Sequence, residues 1–354
     1  MLKTRVVYIK EPGKIQIKSE NLHEVKTTQV LIKSYQASIC GSERWFFKGI
    51  TVRPEDEARG GPETQLGDST DRKNEHAYPM GPLGHEGGGI IIEKGNGVNE
   101  FVGGGKVRLN QRVASLVYPT FTDYWVTDVQ NIQPIPEGVS FEIGCLYEPL
   151  GCAAWAARHT DVKLGDIVAV IGVGFAGNIL LQGAIRAGAS KVIAIDVSDR
   201  KLKIAKQLGA DVLINPTEND PLDVIMEMTQ GEGVDVTIEA IGGSGEGIKQ
   251  ALRLVKHNGI IDLYGDNYAP IKDFCFHRFH EDGLKINNLN AVHYNKLRSI
   301  EYMREAYRAI ERGVFDINII LNNSETYPLG QIEEVFDKEK NEFKQNSLKT
   351  FIKP

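Results

Sequence analysis

The sequence predicts an α/β protein in which a β-rich segment is followed by a doubly wound domain built on a parallel sheet. Two observations lead to this prediction. The first 150 residues contain short apolar runs bounded by Gly, Pro, Asn and Lys, which is typical of strands joined by turns. From about residue 161 onward, short apolar runs alternate with helix-like stretches, which is the pattern of parallel strands covered on both faces by helices.

Size and composition agree with two globular domains. The chain has 354 residues, and a domain typically takes about 150. Apolar residues make up 41% and charged residues 25% of the sequence, which excludes a disordered or collagen-like chain. The net charge of −6 gives no basic surface for nucleic acid or an anionic membrane, so neither is expected as a partner.

Cysteine usage and the N-terminus indicate a cytoplasmic protein. The four cysteines show no C-x-x-C spacing, which fits a reducing compartment. The first residues lack the long apolar run of a secretory signal. The charge-free stretch at 167–185 is interrupted by Gly172, Gly174 and Gly177, so a strand, a turn and a helix explain it better than a membrane span.

Each predicted element rests on a local pattern. In the β-rich segment, strands are predicted at 28–35 and 90–93. The later segment holds strand candidates at 167–171, 192–195, 211–214, 234–240 and 260–264, and a helix candidate at 200–210. A further helix is predicted at 299–313, with Ser299 as its N-cap and Gly313 as its stop. The closing run LKTFIKP is predicted to add a strand to the first domain.

The segment GVGFAG is a candidate nucleotide-binding turn. It follows an apolar strand candidate and opens a helix-like run, which is the context that a G-x-G-x-x-G fingerprint requires. Gly172 permits a tight turn, Gly174 lets the backbone approach a pyrophosphate, and Gly177 permits close helix packing. The helix N-terminus attracts phosphate, and the turn is completed there by Phe175 and Ala176. The alternative is a glycine turn that binds no nucleotide.

An acid follows the next strand candidate at the expected distance. Asp196 lies 19 residues after Gly177 and directly after the run VIAI. A carboxylate at this place accepts both ribose hydroxyls and repels a 2′-phosphate, so NAD is predicted rather than NADP. Arg200 is a further candidate for cofactor binding, and it weakens that preference together with Lys201.

Three segments of the β-rich part contain potential metal ligands. Cys40 lies in SICGSE, His85 and Glu86 lie in PLGHEGGG, and Glu148 lies in LYEPLGCA. Thiolate, imidazole and carboxylate are all zinc ligands, and three protein ligands with an open fourth position define a catalytic zinc site. Spacing alone favours the other interpretation, in which a buried cysteine, a hydrogen-bonded histidine and two solvated acids hold no metal.

Together these motifs resemble the zinc-dependent medium-chain dehydrogenase/reductase superfamily. CGS, GHE, a G-x-G-V segment at 95–98, EPLG and the nucleotide fingerprint follow in order, and EPLG is similar to the sorbitol (polyol) dehydrogenase branch. The resemblance covers essentially the whole chain. It implies a GroES-like catalytic domain at residues 1–152, completed by residues 291–354, and a Rossmann NAD-binding domain at residues 153–290.

The resemblance also implies a role for individual residues. Cys40 and His85 match zinc ligands, and Glu148 matches the carboxylate that takes the third ligand position in this branch. Glu86 matches an acid that binds the zinc directly or stands just behind it. Ser42 matches the hydroxyl that passes the alcohol proton outward.

Three departures from the family pattern modify the prediction. Residues 87–147 contain only Cys145, whereas the family has four closely spaced cysteines here, so one catalytic zinc and no structural zinc is expected. Trp45 stands where the family often has a histidine in the proton path, so water or another residue replaces it. The loop at 50–79 is unusually long and is either a lid or a solvated insertion, with His76 as a candidate substrate contact or a surface histidine.

The sequence therefore predicts a zinc-dependent oxidoreductase that transfers a hydride between a secondary alcohol (a polyol, sugar or cyclitol) and NAD. Residues 239–243 and 264–267 follow strand candidates and are expected to hold the nicotinamide. The resemblance implies a homo-oligomer, a dimer or tetramer, that acts on a small molecule. Two alternatives stay open: a zinc-free enone or quinone reductase of the same fold, and a nucleotide-binding protein without catalysis.

Overall fold

The computed structural model describes residues 2–49, 78–115, 117, 119–243, 245–267, 276–290, 296–338 and 347–354. In this part of the chain the backbone divides into two units. The first unit comprises Met1–Pro149, Lys296–Glu301 and Ser324–Pro354, and the second comprises Leu150–Asn295 and Tyr302–Asn323. The predicted fold class is confirmed, because the first unit holds a mostly antiparallel sheet and the second holds a parallel sheet with helices.

The first unit is built on short strands with one face packed against a core. β1 and β2 form a two-stranded antiparallel sheet. The second sheet has the strand order β14-β15-β3-β4-β5-β7, and β6 also pairs with β3. The strands are β1 (Lys3–Glu11), β2 (Lys14–Asn21), β3 (Gln29–Ser38), β4 (Glu86–Lys94), β5 (Arg112–Ser115), β6 (Tyr124–Asp128), β7 (Ile132–Pro134), β14 (Glu325–Pro328) and β15 (Thr350–Lys353).

The last strand of the chain completes this sheet. β15 lies between β14, with which it is parallel, and β3, with which it is antiparallel. Phe351 of β15 stands opposite Ser38 of β3. The predicted closing strand is therefore confirmed, and the first and last parts of the chain share one set of backbone hydrogen bonds.

The second unit is a parallel sheet with the strand order β10-β9-β8-β11-β12-β13. Its central strands are buried on both faces, so they are almost continuously apolar. The order reverses between β8 and β11, which is the switch point where ligands bind in open α/β sheets. The strands are β8 (Ile167–Ile171), β9 (Lys191–Ile195), β10 (Val212–Ile214), β11 (Val234–Glu239), β12 (Val255–Leu263) and β13 (Lys285–Asn288).

Local signals explain where the helices begin and end. Ser198 caps α5 by accepting the N–H of Lys201, and Asp220 caps α6 by accepting the N–H of Leu222. Gly188 ends α4 in the left-handed region, with φ of 98°. The helices are α1 (Gly41–Phe47), α2 (Phe141–Gly144), α3 (Tyr147–His159), α4 (Phe175–Ala187), α5 (Asp199–Gln207), α6 (Pro221–Met228), α7 (Glu246–Leu254), α8 (Phe276–Glu281), α9 (Lys296–Glu311), α10 (Ile317–Leu321) and α11 (Ile332–Lys338).

The sequence located these elements well and misplaced some of their ends. The predicted helix at 200–210 ends at Gln207, because Gly209 adopts a φ of 107°. The prediction of Ser299 as an N-cap is wrong, because α9 already begins at Lys296 and Ser299 lies inside it. Leu and Arg between these two positions are good helix formers, so the helix extends toward the N-terminus. Gly313 is confirmed as the stop, with φ of 66°.

Among the described helices, none is both long enough and apolar enough to cross a membrane.

Candidate active site

Three potential ligand atoms meet in the first unit. Cys40 Sγ, a ring nitrogen of His85 and a carboxylate oxygen of Glu86 lie within 4.8 Å of one another. Cys40 follows β3, while His85 and Glu86 stand at the start of β4. The two strands are antiparallel, with Ser38 opposite Glu86, so the end of one lies beside the start of the other. The register of this strand pair brings together residues that are distant in the sequence.

Glu43 on α1 supports this group from behind. Its buried carboxylate accepts the N–H of Cys40 at 2.9 Å and the N–H of Gly84 at 3.0 Å. It also lies 3.3 Å from Nδ1 of His85. A carboxylate this close to a ring nitrogen can orient a ligating imidazole. The sequence analysis missed Glu43, although its position three residues after Cys40 was visible.

Glu86 is held by a hydroxyl and a lysine. Its Oε2 accepts a hydrogen bond from Ser38 Oγ and lies 2.5 Å from Nζ of Lys349. Both side chains of the ion pair are buried. These contacts occupy Oε2 and leave Oε1 as the oxygen able to bind a metal.

The charges in this group are strongly coupled. Burial lowers the pKa of His85, but Cys40 and Glu43 outweigh it and raise that pKa well above its ordinary value. Burial raises the pKa of Glu86, but Lys349 and His85 outweigh it and lower that pKa. A buried imidazole surrounded by a thiol and carboxylates is an environment that attracts positive charge.

The other predicted residues of this site are only partly placed beside the group. Ser42 is half-buried on α1, close in sequence to Cys40. Glu148 is half-buried in the first turn of α3 and lies outside the group whose atoms meet within 4.8 Å. The predictions for the Trp45 side chain and for residues 50–77, including His76, fall outside the described residues.

The donor set fits zinc. Zinc prefers thiolate, imidazole and carboxylate ligands in a tetrahedral arrangement, and Cys40, His85 and Glu86 offer one of each. Ligand atoms that meet within 4.8 Å can reach a single ion. Magnesium or calcium would instead require a site dominated by oxygen ligands.

The glycine turn lies in the second unit, at the carboxyl end of β8. Gly172 has a φ of 89°, and a Cβ on it would lie 2.6 Å from Cγ1 of Ile241. A Cβ on Gly177 would lie 1.9 Å from the carbonyl oxygen of Gly172. A Cβ on Gly174 would meet no atom within 4 Å. The fold itself therefore requires the first and last glycine, whereas Gly174 faces open space where a ligand can approach the backbone.

The turn leads directly into a helix. Gly174 is the N-cap of α4, and the helix begins with Phe175 and Ala176. Asn178 holds the turn from inside, since its Nδ2 donates to the carbonyl oxygens of Val173 at 2.6 Å and Gly174 at 2.9 Å. The N–H groups of the first helical turn therefore have a fixed direction, as an anion site at a helix N-terminus requires.

Asp196 lies directly after β9 and braces the same turn. Its Oδ2 accepts the N–H of Val173 at 3.1 Å, and its Oδ1 accepts the N–H of Ser198 at 3.0 Å. Nζ of Lys201 lies 3.9 Å from Oδ2, whereas Arg200 is exposed on the first turn of α5. Of the two basic residues predicted near the acid, Lys201 is the one that contacts it.

Two exposed apolar side chains flank the glycine turn and were missed by the sequence analysis. Val197 follows Asp196 and is 52% exposed, and Ile241 follows β11 and is 55% exposed. Both stand at the carboxyl edge of the parallel sheet, where apolar side chains suit a flat aromatic ring such as a nucleotide base. The signal in the sequence was a large aliphatic residue just after each strand end.

The comparisons with known proteins agree with this arrangement. The profile of the family described as zinc-binding dehydrogenase matches residues 176–309. An alcohol dehydrogenase from Cupriavidus necator is 27% identical over 370 residues, which cover 97% of each protein. The chain is therefore similar to zinc-binding dehydrogenases, over residues 176–309 by the family profile and over nearly its whole length by the Cupriavidus necator relative. A sorbitol dehydrogenase from Rattus norvegicus is 28% identical over 235 residues, which cover 60% of each protein.

A solved structure supports the fold of the chain. A candidate zinc-binding dehydrogenase from Sinorhizobium meliloti 1021, bound to NADP, superimposes with a TM-score of 0.78 over 100% of each chain at 20% identity. The relatives are alcohol and sorbitol dehydrogenases, which supports an oxidoreductase. Similarity by itself does not select between NAD and NADP.

Proposed function

We propose that this protein is a zinc-dependent dehydrogenase that transfers a hydride between a secondary alcohol and NAD, with a polyol, sugar or cyclitol as substrate. The observation that carries the proposal is the meeting of Cys40, His85 and Glu86 within 4.8 Å. A zinc-free reductase of the same fold does not require a thiol, an imidazole and a carboxylate that meet at one point. A nucleotide-binding protein without catalysis does not require them either.

Cys40 and His85 hold the zinc, and a carboxylate completes the site. Glu86 is already in the group, with Oε1 available, while Glu148 stands on the neighbouring α3. Glu43 keeps the His85 ring in place through Nδ1. When bound, zinc supplies a Lewis acid for the alcohol oxygen, and the nicotinamide supplies the hydride acceptor.

Ser42 is the proposed carrier of the alcohol proton. Its hydroxyl can accept one hydrogen bond and donate another at the same time. It is half-buried on α1, between the exposed Gly41 and the buried Glu43 in the sequence. In this role Ser42 would pass the proton of the alcohol from the substrate toward solvent.

Asp196 supports NAD as the cofactor. A carboxylate at the end of β9 repels a 2′-phosphate, and Lys201 at 3.9 Å offsets only part of that charge. The exposed Val197 offers apolar contact to the adenine ring. Fluorescence titration with NADH and NADPH tests this choice, and tighter binding of NADPH would reverse it.

The polyol substrate rests on the likeness to sorbitol dehydrogenase and on the EPLG motif around Glu148. We assign zinc chemistry to the domain predicted at 1–152 and 291–354, and NAD binding to the domain at 153–290. The proposal includes a cytoplasmic homo-oligomer, as the cysteine usage and the family resemblance indicate.

Zinc content of the purified chain, measured by elemental mass spectrometry, tests the proposal. We expect about one zinc per chain, as a single catalytic site requires. Cys40→Ser is expected to lose both zinc and turnover with polyols while it keeps its affinity for NADH. Cys152→Ser, a half-buried cysteine of α3, is the matched control and is expected to keep its zinc.

Two further variants identify the third ligand. Glu86→Gln loses zinc if Glu86 binds the metal, and Glu148→Gln loses zinc if Glu148 does. A folded chain that takes up no zinc when zinc is supplied would refute the proposed mechanism. In that case turnover of an enone or quinone would identify the protein as a zinc-free reductase, and NADH binding without any turnover would identify a silent binding protein.

A further inference from the structure

Glu239, the last residue of β11, is an acid without solvent exposure at the carboxyl edge of the parallel sheet. Its Oε1 accepts the N–H groups of Ile241 and Gly242, both at 2.8 Å. Its Oε2 accepts a hydrogen bond from Nδ2 of Asn267 at 3.0 Å. Every one of these partners is an N–H donor, so the side chain acts purely as an acceptor, as a carboxylate does.

These contacts join two separate loops. Residues 240–243 follow β11, and residues 264–267 follow β12. We call the two loops together the nicotinamide platform. The main chain makes the same connection, because the carbonyl oxygen of Glu239 accepts the N–H groups of Tyr264 at 2.9 Å and Gly265 at 3.0 Å. Gly243 also donates to the carbonyl oxygen of Asp266 at 2.8 Å.

Glycines make room for the carboxylate. A Cβ on Gly247 would lie 2.4 Å from Oε1 of Glu239, and a Cβ on Gly265 would lie 2.6 Å from Oε2. Gly242, whose N–H donates to Oε1, has a φ of 68°, which favours glycine. Because glycines surround the carboxylate on several sides, the site is shaped to fit the side chain of Glu239.

Asn267 is oriented by this socket. Its Nδ2 donates to Glu239 and also to the carbonyl oxygen of Gly265 at 3.0 Å, so both amide protons are used. Its Oδ1 is buried and accepts no hydrogen bond from any described residue. A buried amide oxygen needs a donor, and the carboxamide of a nicotinamide provides one.

We infer that Glu239 is a positioning residue. It holds the two loops of the nicotinamide platform together and orients Asn267 so that Oδ1 is available to the carboxamide N–H of the cofactor. This inference rests on the proposed function, since it assigns the nicotinamide to residues 240–243 and 264–267. It adds to the cofactor-binding part of the protein a residue that acts through Asn267 and the two loops.

A double-mutant cycle tests the contact between Glu239 and Asn267. In Glu239→Gln the side chain keeps its size but presents an NH2 group to one of its N–H partners. We expect its Kd for NADH to rise about tenfold, the effect of one lost hydrogen bond to a buried group. Asn267→Asp places two carboxylates together and should weaken NADH binding further. The double variant restores a donor–acceptor pair and should bind NADH better than Asn267→Asp alone.

ADP-ribose, which lacks the nicotinamide, separates positioning from general damage. Its affinity is expected to stay within about twofold of wild type in Glu239→Gln, since Asp196 and the glycine turn are untouched. Asp235→Asn is the matched control. Asp235 lies on the same strand, accepts the N–H of Ile167 at 2.7 Å, and stands at the opposite end of the sheet. We expect it to lower stability without a selective loss of NADH.

Amide hydrogen exchange of the cofactor-free chain gives a readout independent of binding. Glu239→Gln should speed exchange in 240–243 and 264–267 together, because one side chain holds both. Faster exchange in only one loop, or an equal loss of NADH and ADP-ribose affinity, would overturn the assignment of Glu239. Wild-type chain that binds neither ligand would overturn the proposed function and the nicotinamide platform with it.

Discussion

Burial of a single acid sets part of the pH dependence of stability. Asp262 on β12 is fully buried and accepts hydrogen bonds from Nδ2 of Asn287 at 2.9 Å and from the N–H of Asp161 at 3.3 Å. Burial raises the pKa of Asp262 to about 6, and these hydrogen bonds offset only part of the increase. The folded state therefore holds this proton more tightly than the unfolded chain does.

The sign of the effect follows from that order of pKa values. The contribution of Asp262 to the unfolding free energy is fully present below the unfolded pKa and is lost as the pH rises through about 6. Asp262→Asn removes this dependence. Relative to wild type, we expect it to gain about 1 to 2 kcal/mol of stability between pH 5 and pH 7.5, measured by urea unfolding.

Asp211 provides the control for this experiment. It also accepts a backbone N–H, that of Val192 at 2.7 Å, but its side chain is exposed. Asp211→Asn is expected to change stability by a similar amount at both pH values. If the difference in unfolding free energy between Asp262→Asn and wild type stayed constant across the same pH range, ionisation of Asp262 would not destabilise the folded state, and the prediction would be wrong.

At the scale of residues, the sequence predicts the candidate metal ligands better than it predicts the side chains that hold those ligands in place. Cys40, His85 and Glu86 stood out because their residue types are suited to a metal and their motifs are distinctive. Glu43 did not, because an acid in a helix is normally solvated, and only the fold shows that it is buried behind His85. The partner of Glu86 was equally hidden, because Lys349 lies at the far end of the chain.

At the scale of elements, the strand–turn–helix unit around the glycine turn separates folding from binding. Gly177→Ala introduces a methyl group 1.9 Å from a backbone oxygen, so the helix must shift. We expect it to lower the unfolding free energy by about 1–3 kcal/mol, the usual cost of overpacking. Gly174→Ala meets no atom within 4 Å and should cost less than about 1 kcal/mol.

The order of the two variants should be reversed for cofactor binding. Gly174→Ala should lose more NADH affinity than its small loss of stability would suggest. The methyl group of Gly174→Ala occupies the space that a pyrophosphate would enter, so its Kd for NADH should rise at least about tenfold. Urea unfolding and NADH fluorescence titration measure the two effects. If Gly174→Ala bound NADH as wild type does, the cofactor would lie elsewhere.

Periodicity predicted the elements that are buried on both faces and failed at some boundaries. β8 matches its prediction to the residue because its apolar run ends at the glycine turn. Ser299 was misread as a cap, because a serine and the hydrophobic pattern after it cannot show that the preceding residues are also helical. Tertiary packing, which the sequence does not display, decides such ends.

At the scale of the whole molecule, the C-terminal segment contacts the group of Cys40, His85 and Glu86. Lys349 precedes β15 and forms a buried ion pair with Glu86 at 2.5 Å. Lys349→Met leaves this carboxylate without its cation, and removal of one partner of a buried pair typically costs about 3–5 kcal/mol. We expect a matching decrease in the urea midpoint.

The double variant Glu86→Gln with Lys349→Met is the control for that prediction. It removes both charges at once, so it should recover a large part of the lost stability. Unchanged stability in Lys349→Met would show that the ion pair does not stabilise Glu86 and that the hydrogen bond from Ser38 is sufficient. In that case β15 would complete the sheet without stabilising the group of Cys40, His85 and Glu86.

The position of β15 between β14 and β3 also dictates an order of events during synthesis. Strands β8–β13 are all translated before β15 leaves the ribosome, so the parallel sheet can form on a nascent chain. In the other sheet, the end of β3 at Ala37 and Ser38 lacks its β15 partner until residues 350–353 emerge. During that interval the unpaired edge is open to other chains, and the group around Glu86 lacks its lysine. The group of Cys40, His85 and Glu86 therefore gains its lysine only after residue 349 has been translated.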